Sequence, residues 1–410
     1  MFDLDRWREI FQSINKNRLR SVMSGFTVAF AILLFTLLFG VANGLGNFFK
    51  GAFVDSAENT ISLRVRKTTK PYKGLQTGRI IQLKNKEYEY IGQEYKNKIE
   101  YQSALIYKNF SIKYKNEAST YSVTAVNPDY QFLEKIIITD GRFLNERDLN
   151  QKSKSIVIGR LIKEDLFGER PAIGKRVNVN GSSYLVIGIF SDEGGDNQER
   201  KAYIPLSTAQ MIYGSNDYIS QIDLGYNPSL STDAAIAFGH QIERDLRKKL
   251  DIHPDDQSAL SVNNMADANK FISTVMFALV LIITFIGSGT LIAGIIGISN
   301  IMIFVIKERS KEFGIRKALG AQPASIVGMV VQESVLITTI AGYVGLSLGT
   351  YLLSLIGDSL EEDYFITNPS VSPGIVIGAT IVLVLSGLIA GYVPAKRAAR
   401  IKPIEALRAD

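Results

Sequence analysis

The 410-residue chain reads as an integral membrane α+β protein. It has four transmembrane helices, one N-terminal and three C-terminal, with a two-lobed α+β extracytoplasmic domain inserted between helices 1 and 2. Three observations predict this. Long runs lack any Asp, Glu, Lys or Arg: Ser21–Phe49, Phe271–Ile306, Ser334–Gly357 and Tyr364–Ala395. A spanning helix needs about 20 such residues. Basic residues collect at three of the segment ends and acidic ones at a fourth. Between the first two runs, the apolar residues alternate as in strands.

Taken in order, residues 1–20 carry five bases, three acids and one apolar face, Leu4, Trp7, Phe11 and Ile14. They read as a cytoplasmic amphipathic helix lying under the membrane. Residues 21–49 form the first span, too long an apolar stretch for a cleaved signal. Residues 271–306 form a stalk and the second span. Their 36 residues exceed a hydrocarbon core of about 30 Å at about 1.5 Å per residue. Residues 307–332 are a cytoplasmic segment, 333–357 the third span, and 358–372 a short external loop bearing Asp358, Glu361, Glu362 and Asp363. Residues 373–395 are the fourth span and 396–410 a basic cytoplasmic tail. The basic ends set both termini in the cytoplasm and residues 50–270 outside the cytoplasmic membrane, in periplasm or extracellular space.

In residues 50–270, strands are expected at Ile61–Val65, Ala104–Tyr107, Phe110–Tyr114, Tyr121–Val126, Ser155–Ile158, Arg176–Val179, Tyr184–Ile189 and Ile219–Leu224. Helical periodicity marks Leu83–Lys98 and Thr232–Leu250, and Asn180-Gly181 signals a hairpin. The order gives two halves of an α+β layer around a β-rich insert lobe of about 130–215.

Composition removes several chemistries. There is no Cys, so disulfides, thiolate sites and Cys nucleophiles are excluded. The two histidines, His240 and His253, lie in polar segments, and no catalytic residue and no metal site is expected. The stretch 168–176 has five residues between its glycines and Arg where a phosphate loop needs Ser or Thr, so it is rejected as an ATP site. The polar stretch 192–197 lacks the alternating ligands of a calcium loop and reads as a hairpin tip. The four uncharged runs hold no ionisable residue for ion coupling, and Asn43, Asn47 and Asn300 are their amides. The chain is therefore a passive anchor or receptor, or is driven by a separate ATPase, with membrane lipid as its surroundings and no nucleic-acid partner. Small residues recur every fourth position at Gly289, Ala293 and Gly297, and at Gly345 and Gly349, which marks helix packing or a dimer seam.

Residues 307–320 comprise Lys307, Glu308, Arg309, Ser310, Lys311, Glu312, Phe313, Gly314, Ile315, Arg316, Lys317, Ala318, Leu319 and Gly320. Charge pairs at helical spacing, apolar anchors and a Gly320 stop predict a short amphipathic helix. It is either a positive-inside flank or a docking element for a cytoplasmic partner. The stretch NIMIFVIKERSKEFGIRKALGA (300–321) resembles the signature of MacB-type and FtsX-like ABC permeases, and GYVPAKRAARIKPIEALR (391–408) resembles their C-terminal end. Residues 141–190 and 202–214 resemble their external MacB-type domain. The resemblance implies a permease subunit that is not itself an enzyme, paired with a second permease chain as a homodimer. The sequence departs from MacB itself in carrying no fused ATPase domain, which leaves the separate-subunit permeases of the family: a separate ABC ATPase subunit would carry ATP and Mg, with no cofactor bound by this chain. ATPase closure would then move the external domain by mechanotransmission and export amphiphiles such as peptides, toxins or antibiotics. A periplasmic adaptor and an outer-membrane duct would be partners in a two-membrane cell. The alternatives are a lipoprotein-release permease and an FtsX-like regulator of an external hydrolase or sensor.

Overall fold

The computed structural model describes residues 18–52, 59–192, 195–214, 216–364 and 366–401. The expected amphipathic face of residues 1–17 and the end of the tail, 402–410, lie outside the described residues. In chain order, α1 (Arg18–Ala52) is followed by β1 (Thr60–Val65), β2 (Leu83–Lys84), α2 (Asn85–Glu94), β3 (Ile99–Tyr114) and β4 (Glu117–Val126). Next come α3 (Tyr130–Leu133), β5 (Ile137–Gly141), α4 (Glu146–Asn150), β6 (Ser155–Gly159), α5 (Arg160–Phe167), β7 (Arg176–Val179) and β8 (Ser182–Ser191). Then α6 (Asp196–Glu199), β9 (Lys201–Pro205), α7 (Leu206–Ile212), β10 (Tyr218–Ile219), β11 (Gln221–Tyr226), α8 (Thr232–Lys249) and β12 (Leu260–Asn264). Last are α9 (Met265–Glu308), α10 (Ser310–Ala318), α11 (Pro323–Tyr364) and α12 (Pro373–Ala399). The chain divides into two compact units, a helical one from residues 1–49 and 274–410 and an α+β one from 50–273.

In the α+β unit the main sheet runs β12-β1-β11-β3-β4-β9-β6-β8-β5. The alternation at 104–107 and 110–114 belongs to one strand of 16 residues, β3, not to two. Its first half pairs with β11 and its second half, from Ile106, with β4. Strand β7 pairs both with β8 and with Ile112 and Lys113 of β3. The strands β3, β4, β9, β6, β8 and β7 thus close into a ring, which satisfies edges that an open insert would expose. The ring begins at Ile106, in the middle of β3, where an unbroken strand carries no turn signal. The Asn180-Gly181 hairpin is present between β7 and β8, with φ of 45° and 87°, the left-handed values a two-residue turn demands. Ile219 and Leu224 fall on different strands, since β10 pairs with β2 and β11 with β1 and β3.

One core runs under most of this sheet, from Ile61, Leu63 and Ile91 through Ile112, Val123, Ile158 and Phe167 to Phe238 and Ile242. A smaller one on the other face gathers Leu105, Tyr130, Leu133, Phe143, Phe190 and Tyr203. Helix α8 starts at Ser231, whose hydroxyl accepts from the Ala234 amide (3.3 Å), and ends in Arg247, Lys248 and Lys249, which complement its dipole.

Among the described residues, four helical stretches are long and apolar enough to cross a membrane: Gly25–Phe49, Met265–Glu308, Pro323–Gly357 and Pro373–Ala399. Helix α11 starts ten residues before the expected third span and continues through the acidic stretch to Tyr364, where a loop was expected from 358. An uncharged run measures how much chain suits hydrocarbon, and a helix can continue past it into polar sequence. The connection 366–372 is tied to α1. Asn43 Nδ2 donates to Ser370 O (2.9 Å), Asn47 Nδ2 to Asn368 O (3.4 Å), and the Thr367 amide to Gly44 O (3.1 Å).

Candidate functional site

The expected amphipathic segment resolves into three parts. Lys307 and Glu308 end α9, Arg309 breaks the helix with φ −94° and ψ 11°, and α10 runs from Ser310 to Ala318. Gly320 closes it in the left-handed region (φ 93°). The Gly320 amide donates to Lys317 O (3.1 Å) and the Ala321 amide to Arg316 O (3.0 Å). That pair of bonds is the Schellman stop that the glycine predicted.

Three anchors fix α10 to the neighbouring helices. Phe313 is fully buried, with Ile306, Ile326, Val330, Ala395 and Ala398 in its cluster, so its ring joins the ends of α9, α11 and α12. Arg309 reaches Glu312 through Nε and Nη2 (2.9 and 3.0 Å) and the buried Glu333 of α11 through Nη1 (3.3 Å). Arg316 Nη2 returns to Glu312 (3.0 Å). Lys317 Nζ donates to the carbonyls of Ala399 and Ile401 (2.7 and 2.9 Å) and so caps the C-terminus of α12. Glu333 lies just outside the uncharged run and carries no sequence signal. Only the fold shows that Glu333 is buried and compensated by Arg309.

This geometry sorts the segment's side chains. Phe313 and Gly314 face inward, and Arg309, Glu312, Arg316 and Lys317 hold the helix in place. Lys307, Glu308, Lys311, Ile315, Ala318, Leu319 and Gly320 are exposed, with Leu319 at 82%. Phe313 is therefore no free docking knob, as the amphipathic pattern alone had allowed. A nine-residue helix beside three others has two apolar sides, and the sequence cannot tell which side the chain itself covers. The outward surface is Lys311, Ile315 and Leu319, at positions i, i+4 and i+8 of one helix face.

The small-residue stripes also separate. A Cβ at Gly345 would overlap the Ala29 carbonyl oxygen, and one at Gly349 would lie 2.7 Å from Thr36 Cγ2, so both glycines seat α11 on α1. On α9 the close contacts are instead at Gly287, against Phe35, and Gly294, against Val28. Gly289 has nothing within reach, Ala293 is exposed, Gly297 meets only Thr27 Oγ1 at 3.7 Å, and Asn300 is exposed. The α9 stripe is thus an open face within one chain.

No group of His, Cys, Asp or Glu able to hold a metal occurs among the described residues. The glycine stretch at 168–176 spends its amides on the fold, with Gly174 donating to Val186 O (2.9 Å) and Lys175 to Ala172 O (3.1 Å). The histidines are engaged locally. His253 Nδ1 accepts from the Asp255 amide (3.1 Å), and His240 Nδ1 lies 3.7 Å from Glu243.

Two family models match this chain. Residues 21–237 match the MacB-like periplasmic core domain, and residues 284–403 match the FtsX-like permease C-terminal domain. The chain is 29% identical over 301 residues to the macrolide export ATP-binding/permease protein MacB of Bdellovibrio bacteriovorus, covering 72% of this chain and 45% of that one. It therefore spans about half the length of that relative. It is 25% identical over 421 residues to the uncharacterised ABC transporter permease YvrN of Bacillus subtilis, covering 99% of both. Among solved structures, the periplasmic region of MacB from Actinobacillus actinomycetemcomitans matches 54% of this chain and 95% of its own, with 18% identity and a TM-score of 0.44. With an α+β domain set between the first and second of four apolar helices, and with a MacB-like domain followed by an FtsX-like one, this chain belongs to the MacB-like, FtsX-like family of ABC transporter permeases.

Proposed function

We propose that this chain is the transmembrane subunit of an ATP-driven export system and couples to a separate ABC ATPase through α10. The observation that carries the reading is the anchoring of α10. A helix joined to α9, α11 and α12 by Phe313, Arg309 and Lys317 delivers any push on its outer face to three membrane helices at once. A mere positive-inside flank needs the charges and none of this bracing. On this reading Lys311, Ile315 and Leu319 enter a groove of the ATPase, which carries ATP and Mg. Both termini are cytoplasmic, and residues 50–273 work outside the membrane on amphiphilic substrates. A second copy covers the open face of Gly289, Ala293 and Gly297, where the absence of side chains permits close backbone approach. An adaptor and an outer-membrane duct complete the path in a two-membrane cell.

The test is co-purification of the ATPase with transport-dependent growth beside it. Ile315→Asp with Leu319→Asp should weaken association at least ~10-fold. Each buried apolar side chain contributes roughly 1.5–3 kcal/mol, and ~1.4 kcal/mol is a decade. Insertion should be unaffected, because both residues are exposed in the chain itself. Wild-type association and growth by the correctly inserted double variant would sink the proposal. Phe313→Ala should act differently, loosening the end of the bundle first and reducing association as a consequence.

A further inference from the structure

The α+β unit holds a cavity of about 390 Å³ along the last turns of α8. Its floor is Arg247, a buried arginine whose donors are all spent on the fold. Nε and Nη2 reach Glu243 Oε1 (3.0 and 2.7 Å), and Nη1 and Nη2 reach the carbonyls of His253, Asp256 and Leu260 (2.6–3.4 Å). The facing wall, the loop after β1, is pinned by Asp256. Its carboxylate accepts from Thr69 Oγ1 and the Thr69 amide (both 2.7 Å) and from the Lys70 amide (3.1 Å). The cavity is therefore held open by bonds that do not involve a ligand.

Two lining cations have no such employment. Arg244 and Lys248 are exposed, one turn apart, and neither has an ion-pair partner among the described residues. Glu243 is also in the lining, but Arg247 neutralises it, and His240 stands beside it. Like charges at i and i+4 destabilise a helix by a few tenths of a kcal/mol. Dipole compensation accounts for the last turn, where Lys249 lies over the Tyr90 ring at 3.9 Å, but Arg244 precedes that turn. The lining also has an apolar part: the Tyr72 ring, held edge-on to His253, with Ile252 and Pro254.

We propose that this cavity binds an anionic amphiphile. Its oxyanion, a carboxylate or phosphate, bridges Arg244 and Lys248, and its apolar body lies on Tyr72, Ile252 and Pro254. The inference rests on the export reading only in calling the ligand a substrate, since binding needs neither ATPase nor transport. The experiment uses the full chain in phosphatidylcholine nanodiscs, with hexyl phosphate, hexanoate, hexyltrimethylammonium and inorganic phosphate as calorimetric titrants against empty nanodiscs. The expected result is one saturable site per chain for hexyl phosphate or hexanoate, several-fold weaker binding of inorganic phosphate, and none of the cation. Arg244→Ala with Lys248→Ala should weaken the hexyl anion at least 10-fold. Tyr72→Ala should bring hexyl phosphate down to the level of inorganic phosphate. Equal binding of the cation, or unchanged affinity in a double variant with wild-type circular dichroism, overturns the proposal. A failed binding test leaves ATPase association through α10 untouched, and a failed association test leaves this site standing.

Discussion

The two units are stabilised by opposite kinds of residue. In the α+β unit the largest fully buried side chains are Tyr184, Tyr203, Phe167, Phe190 and Phe238. In the helical unit close helix contacts fall on Gly287, Gly294, Gly342, Gly345, Gly387 and Gly391, each facing a neighbour's side chain or backbone. Water rewards burial of apolar area, so a water-facing unit fills its core with large rings. Lipid gives no such reward, and helices there gain by close approach, which small residues permit. Among the described residues of the helical unit, Phe313 is the large ring that is completely buried, and it sits in α10, beyond the apolar runs. It marks the place where the ordinary hydrophobic effect resumes.

The largest effect follows from the rings. Tyr203 touches Tyr130, Phe143 and Phe190 at centroid distances of 5.6, 5.8 and 5.0 Å. Tyr203→Ala should cost about 3–5 kcal/mol. The loss should read out as reduced amide exchange protection in β4, β6 and β9, with the helical unit unchanged. Unaltered protection would mean that the smaller core contributes little.

A second effect is the pH dependence of the α+β unit. Burial pushes the Asp223 carboxyl up to about 6, against donors from Gln221 and Ser62 and the nearby Arg64. Tyr107 and Tyr130 are further titratable groups near it. A raised acid binds more protons folded than unfolded, so its contribution is full below the unfolded value of about 4 and is lost as pH rises through 6. Asp256 has the opposite sign: its hydrogen bonds hold it down at about 2, and its contribution is lost only as pH falls from about 4 through 2. Thermal unfolding of the α+β unit, followed by near-UV tyrosine dichroism, should therefore fall between pH 4 and 7. Asp223→Asn should flatten that slope, with a ceiling of about 3 kcal/mol. A slope that survives the substitution would assign it to other groups.

Much of this contrast was legible in the sequence. The four apolar runs, the alternating strands and the Asn180-Gly181 turn come from local periodicity, which sequence records directly. The ring closure through Ile112 and Val179 did not, because strand pairing across 67 positions leaves no local trace. At the candidate site the helix and its Gly320 stop were readable, whereas the inward turn of Phe313 was not. Neither was the Glu333 partner of Arg309, nor the capping of α12 by Lys317. Each depends on which helices meet at that end, and one amphipathic period is compatible with several answers.

The smallest effects test the glycines themselves, and they divide by which face is already occupied. Gly345 is filled within the chain, so Gly345→Ala forces α11 away from the Ala29 carbonyl and should cost about 1–3 kcal/mol of thermal stability in micelles. Gly289 meets open space, so Gly289→Leu should leave that stability alone or raise it slightly, as Gly is the poorer helix former by up to ~1 kcal/mol. If a second copy covers α9, the same leucine must be driven into the seam. Self-association, measured by single-molecule photobleaching in nanodiscs or by crosslinking at low protein-to-lipid ratio, should then drop about tenfold. A leucine that faces lipid costs nothing, because hydrocarbon accepts it as readily as glycine. The two glycines thus give opposite patterns: Gly345→Ala lowers stability in each single chain, and Gly289→Leu lowers association while sparing the chain. Should Gly289→Leu leave both quantities unchanged, the stripe on α9 is a lipid-facing surface and the dimer must form elsewhere.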